Sequence, residues 1–198
     1  MEQTNSIETT SSAIKNDLNK MALPKAIAEY IWNSFDAKAS LVKLKYSVIE
    51  LGGIDHLEIE DNGQGILTKE LSNTFGRYRD SVKRYLKSPT VKGEKGLGRF
   101  SFYKFAGVAT WDSVSKDGSL SLSIDSASLN VFQRKDLADT FTPVATGCRV
   151  SFSNLQGGEL TEAIFRGDVV PYLVKEFSWL LKASSNYSLR IGGSEVAL

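Results

Sequence analysis

The sequence predicts an α+β fold in which a layer of helices lies on one face of a mixed, mostly antiparallel sheet. Three observations carry this. Alternating, strand-like runs stand side by side and are joined by turn signals such as Gly52-Gly53 and Lys116-Asp117-Gly118, the chemistry of hairpins. Helix-period apolar runs stand in separate blocks, over 24–38 and again within 159–182, where a 3.6-residue repeat buries one stripe. Strands and helices do not alternate regularly along the chain, which disfavours a doubly wound parallel sheet.

Taken in order, residues 1–19 are polar and rich in Ser, Thr and Asn, and with little to bury they predict a mobile arm. From 24 to 38, Ile27, Ala28, Ile31, Trp32 and Phe35 recur three and four apart, with Pro24 near the first turn, so one amphipathic helix is expected. Residues 41–50, LVKLKYSVIE, alternate, and a second alternating run ends at Asp61. Residues 67–87 are helical by composition, interrupted at Gly76 and ended by Ser88-Pro89. A Gly- and Lys-bearing loop, TVKGEKGLG, then leads into a helix spaced by Phe100, Phe102, Tyr103 and Phe105. Strands follow at 107–116, 119–125 and 147–153, with a long connector over 126–146. A helix or two over 159–182 and a short strand at 187–191 complete the chain.

Composition bounds the function. At 198 residues, 41% apolar and 24% charged, the chain has ordinary globular usage and room for one well-cored domain. With 24 basic against 23 acidic residues, a polyanion partner for the whole surface is not expected, although local patches are open. Cys148 is the only cysteine and His56 the only histidine, which excludes an intrachain disulfide and makes a structural zinc close to impossible. No apolar run reaches membrane-spanning length and the N-terminus lacks the layout of a signal peptide. No membrane partner and a reducing, cytoplasmic setting are therefore expected. No GxxxxGK followed by Ser or Thr occurs, so a P-loop is absent.

Three segments carry chemistry. In DNGQGI, residues 61–66, an acid precedes two glycines that let the chain bend tightly away from a strand. A surface turn would use the same residue types. In AIAEYIWNSFDAKAS, Glu29 and Asn33 lie four apart and Asp36 three further on, so they share a helix face beside the apolar stripe. Buried unpaired, those groups would be expensive, which leaves a core hydrogen-bond pair or a ligand site. In VKGEKGLGRFSFYKF, Gly93, Gly96 and Gly98 precede a helix start near Arg99 and Phe100, with Lys92 and Lys95 close by. Such a run is either a surface hinge or a cradle of backbone N–H groups for an anion.

Together these segments resemble the GHKL superfamily of ATPases, the Hsp90, DNA gyrase B, MutL and histidine kinase group with its MORC proteins. Glu29, Asn33, Asp36 and Ala37 resemble the first family box, ExxxNxxDA; Asp61, Gly63, Gly65 and Ile66 the second, DxGxG; Gly96, Leu97, Gly98, Arg99 and Phe100 the third, whose wording here is close to MORC-like and Hsp90-like members. Residues 22–153 carry the likeness. It implies a Bergerat fold, a two-layer α/β sandwich with an ATP lid over 67–98, and a nucleotide-binding domain over 20–198 that forms the N-terminal part of a larger protein.

The resemblance also implies roles. Asp61 would accept a hydrogen bond from the adenine amino group, with Gly63 and Gly65 making room. Asn33 would bind Mg²⁺ through its amide oxygen, Glu29 would activate the attacking water, and Asp36 would steady the helix or an ordered water. Lys95 and the glycine loop would meet the phosphates. The family usually carries Gly-Thr on a late strand; here the place reads Gly147-Cys148 with Thr146 before it, so Thr146 by a register shift, or the Cys148 thiol, fills it. The implied activity is Mg²⁺-dependent ATP binding with slow hydrolysis, driving lid closure and association of protomers or a partner. The alternative is a nucleotide-sensing or nucleic-acid-associated module without useful turnover. Implied partners are a second protomer in the ATP state and a downstream transducer domain or partner protein; the basic run of Arg77, Arg79, Lys83, Arg84, Lys87, Lys92, Lys95, Arg99 and Lys104, against Asp80 and Glu94, is either a solvated helix face or a grip for phosphates or nucleic acid, the last as the MORC resemblance allows.

Overall fold

The computed structural model describes residues 2–7, 9–71, 75, 96–137, 145–156 and 160–196. Among them run β1 (Glu2–Ser6), α1 (Ser11–Leu18), α2 (Leu23–Asp36), β2 (Leu41–Val48), β3 (Ile54–Asp61), β4 (Ala106–Ser115), β5 (Gly118–Asp125), β6 (Val131–Asp136), β7 (Gly147–Leu155), α3 (Val170–Ala183), β8 (Ser188–Ile191) and β9 (Ser194–Glu195). The strands form one sheet in the order β1-β6-β5-β4-β7-β3-β2-β8-β9. Every neighbouring pair is antiparallel except β2 and β8, which run parallel. This is the α+β architecture with a mixed sheet that the sequence predicts.

Period-2 alternation divides the sheet into two faces. Val42, Leu44, Leu57, Ile59, Val150, Phe152, Leu120 and Leu122 are buried on one face, which is covered by α2, α3 and the 3₁₀ segment Gly98–Lys104. The opposite face is polar. There Lys45 meets Glu58 and Glu60, Lys43 meets Glu60, and Arg149 lies near both acids. One dry and one solvated face is the common state of an antiparallel sheet. α2 fits its helix period: Ala26, Ile27, Tyr30, Ile31, Trp32 and Phe35 are buried, and proline stands in its first turn.

Three expectations differ from the structure. Residues 1–19 are not a bare arm: β1 pairs with β6, and Ile14 and Leu18 of α1 are fully buried. A polar composition hid two apolar residues four apart on one short helix face. The connector holds β6, an amphipathic strand with Phe132 buried. The predicted helix at 99 is a 3₁₀ segment, Gly98–Lys104. The C-terminal helical run agrees with the expected helix or two: it is one continuous stretch, with the α turn Glu162–Ile164 and the π segment Phe165–Val169 leading into α3. Most of the predicted helix at 67–87 and of the segment 67–98 expected to form a lid falls outside the described residues; within them, Thr68–Glu70 forms a 3₁₀ turn. Among the described residues no helix is long and apolar enough to cross a membrane.

Candidate functional site

The site begins where the apolar face of β3 ends in an acid. Leu57, Ile59 and Asp61 share the core-facing parity of that strand, so the chain places a carboxylate where its alternation calls for a hydrophobe. Asp61 Oδ2 accepts the Ser34 hydroxyl at 2.8 Å, and Oδ1 accepts the Gly63 backbone N–H at 2.8 Å. Burial raises its pKa above the usual carboxylate value, while the bonds from Gly63, Ser34 and the Cys148 backbone oppose the rise. In the sheet register, Cys148 of β7 lies opposite Asp61, and Ser113 of β4 lies opposite Cys148. These three form a row across three strands. Burial, followed by the charges of Asp61 and Asp112, pushes the Cys148 thiol well up.

The bend after Asp61 is held from three sides. The Gln64 N–H donates to the Ala37 carbonyl at the end of α2 (2.9 Å), the Ile66 N–H to the Ser113 hydroxyl (2.8 Å), and the Thr146 hydroxyl to the Gly63 carbonyl (2.6 Å). Gly65 sits at φ +69°, and a Cβ there would stand 2.1 Å from the Val114 carbonyl oxygen. Only glycine fits both the left-handed conformation and that approach.

The second half of the site lies on α2. Glu29 and Asn33 are half-buried, one turn apart, and face the glycine turn. A Cβ at position 98 would stand 2.9 Å from Glu29 Oε2 and 3.3 Å from Asn33 Nδ2. The turn is fastened to the helix by buried Tyr30, whose hydroxyl donates to the Arg99 carbonyl (3.0 Å) and accepts the Phe102 N–H (3.1 Å). The Ser101 hydroxyl adds a bond to the Ala26 carbonyl at 2.7 Å. Burial keeps the Tyr30 phenol protonated far above its ordinary range.

The structure therefore gathers the predicted residues into two groups joined by α2. Asp61, Gly63, Gly65, Ile66, Thr146, Cys148 and Ala37 surround the bend; Glu29 and Asn33 meet Gly98. Gly96 and Leu97 lead into the 3₁₀ segment: the Gly96 carbonyl accepts Arg99 Nη1 at 3.1 Å and the Leu97 carbonyl accepts the Phe100 N–H at 2.9 Å. The Arg99 guanidinium lies 4.3 Å over the Phe100 ring, and Phe100 itself is fully buried in the core. Asp36 closes α2 and is half-buried. Lys95 lies outside the described residues. Sequence reasoning missed Ser34, Ser113 and Tyr30. The usable signal was on β4, where Trp111, Ser113 and Ser115 share the inward parity and both serines are buried: a core-facing strand turns polar as it reaches the site.

A strand-end carboxylate beside a glycine bend, with an acid and an amide on the adjoining helix, is the layout of a GHKL-type ATPase domain. The family model described as histidine kinase-, DNA gyrase B- and HSP90-like ATPase matches residues 21–151, well over half of the chain, and the chain belongs to that family. Membership implies a nucleotide-binding, ATPase-like activity. Comparison with curated proteins finds no match.

Proposed function

We propose that the chain binds ATP with Mg²⁺ between the Asp61 bend and the Glu29–Asn33 face of α2, and hydrolyses it slowly. Asp61 carries this reading. It is a carboxylate placed at a core-facing strand end and partly desolvated, an arrangement that costs stability and so points to a role in binding. Its oxygens already accept Ser34 and Gly63, with the Cys148 backbone also bonding the carboxylate, and an ionised carboxylate keeps acceptor capacity for a further donor such as the amino group of adenine. The Thr146 hydroxyl is engaged with the Gly63 carbonyl, while Cys148 stands in register with Asp61, which supports the thiol over Thr146 for the place beside the base.

The residues fit a magnesium nucleotide. Among the described residues no three or more His, Cys, Asp or Glu converge as a metal cage, and Asn33 offers one neutral amide oxygen. A hard cation held there would complete its oxygen shell from phosphates, so cation and nucleotide would bind together. The bound cation would supply charge stabilisation to the terminal phosphoryl group. The space at Gly98, which any side chain would fill against Glu29 and Asn33, leaves backbone free to approach phosphate, with Gly96, Leu97 and Arg99 beside it; Lys95 is proposed to join them from outside the described residues. Glu29 would orient and deprotonate the attacking water.

Closure of a lid over 67–98, and with it association of a second protomer, a transducer domain or another partner, belongs to the same proposal. Protease digestion with and without a nonhydrolysable ATP analogue tests it: protection across 77–98 is expected, and unchanged cleavage counts against it. The presence of Glu29 one turn from Asn33 supports turnover over the binding-only alternative, because a module that merely senses nucleotide or meets nucleic acid has little need of that carboxylate. Calorimetric titration with ATP and Mg²⁺ tests the central roles. Losing the Asp61 acceptor in Asp61→Asn costs about 1.5–3 kcal/mol or more of binding and removes detectable heat, whereas Glu29→Ala keeps binding and loses hydrolysis. Equal binding and turnover by parent and variants would overturn the proposal.

A further inference from the structure

Glu29 faces two sides. Toward the glycine turn, its carboxylate lies against position 98. On the other side it lines a cleft of about 300 Å³ between α2 and α3, with Lys25, Ala28 and Trp32 on its own helix and Tyr172 and Glu176 on the facing one. Positions 25, 28, 29 and 32 fall three and four apart and make one stripe, and 172 and 176 are one turn apart. The Trp32 indole N–H donates to Glu176 Oε1 at 3.1 Å, which fixes that carboxylate at the wall. The indole is itself packed against Phe177 at 4.7 Å and stacked on Trp179 at 6.1 Å. Burial, then the charges of Glu176 and Glu29, raise the Tyr172 phenol, so the three groups share one neighbourhood. A space bounded by an ammonium, two carboxylates and a phenol is suited to water, with room for several molecules at about 30 Å³ each and polar partners for them.

We infer that this cleft is the water port of Glu29, and that Tyr172 and Glu176 are positioning residues that order the water reaching it from outside. The inference rests on the hydrolytic reading above. In that reaction the water oxygen bonds to the terminal phosphorus, the bond from that phosphorus to the bridging oxygen of the ADP leaving group breaks, and the water's proton passes to the Glu29 carboxylate. The glycine turn lies against the inner side of Glu29, and a nucleotide bound as proposed would cover it further. Replacement water then enters from the α2–α3 side, where Tyr172 and Glu176 stand.

Single-turnover hydrolysis with the chain in excess over ATP and Mg²⁺, paired with calorimetric binding, tests the port. Ala28→Leu adds bulk at a buried residue of the cleft lining; in a chain that folds, the expected result is an affinity within about twofold of the parent and a rate at least about tenfold lower. Tyr172→Phe and Glu176→Gln keep the shape of the wall and are expected to slow hydrolysis about three- to tenfold at unchanged affinity; they decide the matter if Ala28→Leu fails to fold. Lys175→Ala, on the exposed side of α3, keeps the parental rate. Parental rates in both wall variants, or in an Ala28→Leu chain that folds and binds nucleotide, overturn the port alone. A parent chain that binds no ATP overturns the reading of the site itself, and one that binds without turnover overturns hydrolysis and port together.

Discussion

Asp61 is tuned against stability. Its folded pKa is raised above the ordinary 3.8, so between that value and the higher folded one the native state holds more proton than the unfolded chain, and stability falls as pH rises through the window. Above the folded pKa the penalty is complete. In Asp61→Asn the charge is gone, and the new amide can donate to the Ser34 oxygen while the Ser34 hydroxyl turns to the Tyr30 carbonyl, 3.2 Å away. The variant is expected to melt at or above the parent temperature at neutral pH, and to lose this residue's share of the fall in stability above pH 3.8. A melting series against pH for both chains checks this. Gly65→Ala goes the other way. It forces a Cβ onto the Val114 carbonyl at positive φ and should cost more than about 1–2 kcal/mol, read as a lower denaturation midpoint. Asp61, Gly63 and Gly65 were legible only in company: alone the stretch reads equally as a surface turn, and its resemblance to a family box, in order with the boxes at 29–37 and 96–100, singled it out. Ser34 and Ser113 were not, because a serine on a helix or strand reads equally as surface or partner until the register places it.

At the scale of elements, α2 joins the parts of the site: its end receives the Asp61 bend, its Glu29–Asn33 face meets Gly98, and its Tyr30 pins the 3₁₀ segment. Tyr30→Phe leaves the Arg99 carbonyl and the Phe102 N–H without that hydroxyl in a dry environment, and should cost on the order of 2 kcal/mol. Nucleotide affinity should fall with it, because the glycine turn is positioned through the same contact; denaturant melts beside calorimetry measure both. The helix itself was readable from its apolar period, and the β2–β3 hairpin from alternation plus Gly52-Gly53. β6 was not, since VFQRKD offers two apolar residues and draws its identity from pairing with β1 and β5. Tertiary pairing decided that segment where local pattern was silent.

Across the whole molecule, the dry face of one sheet collects all these pieces, and the first described residues help to close it. Ile7, Ile14 and Leu18 belong to the same core as α2 and β7, which composition alone had read as a loose polar stretch. Leu18→Ala should therefore lower stability by about 2–5 kcal/mol, whereas a segment with no packing role would leave the melting temperature unchanged. The polar groups buried in this core include Ser34, Ser101, Ser113 and Arg99, and they gather with Asp61 and the glycines at the candidate site.

The most direct measurement is calorimetric titration of ATP with Mg²⁺ into the parent chain and into Asp61→Asn, each verified as folded by its melting curve. Saturable binding by the parent and none by a variant of equal or greater stability is the predicted result. Equal binding by the two, or no binding by the folded parent, would contradict the assignment of Asp61 to the adenine base.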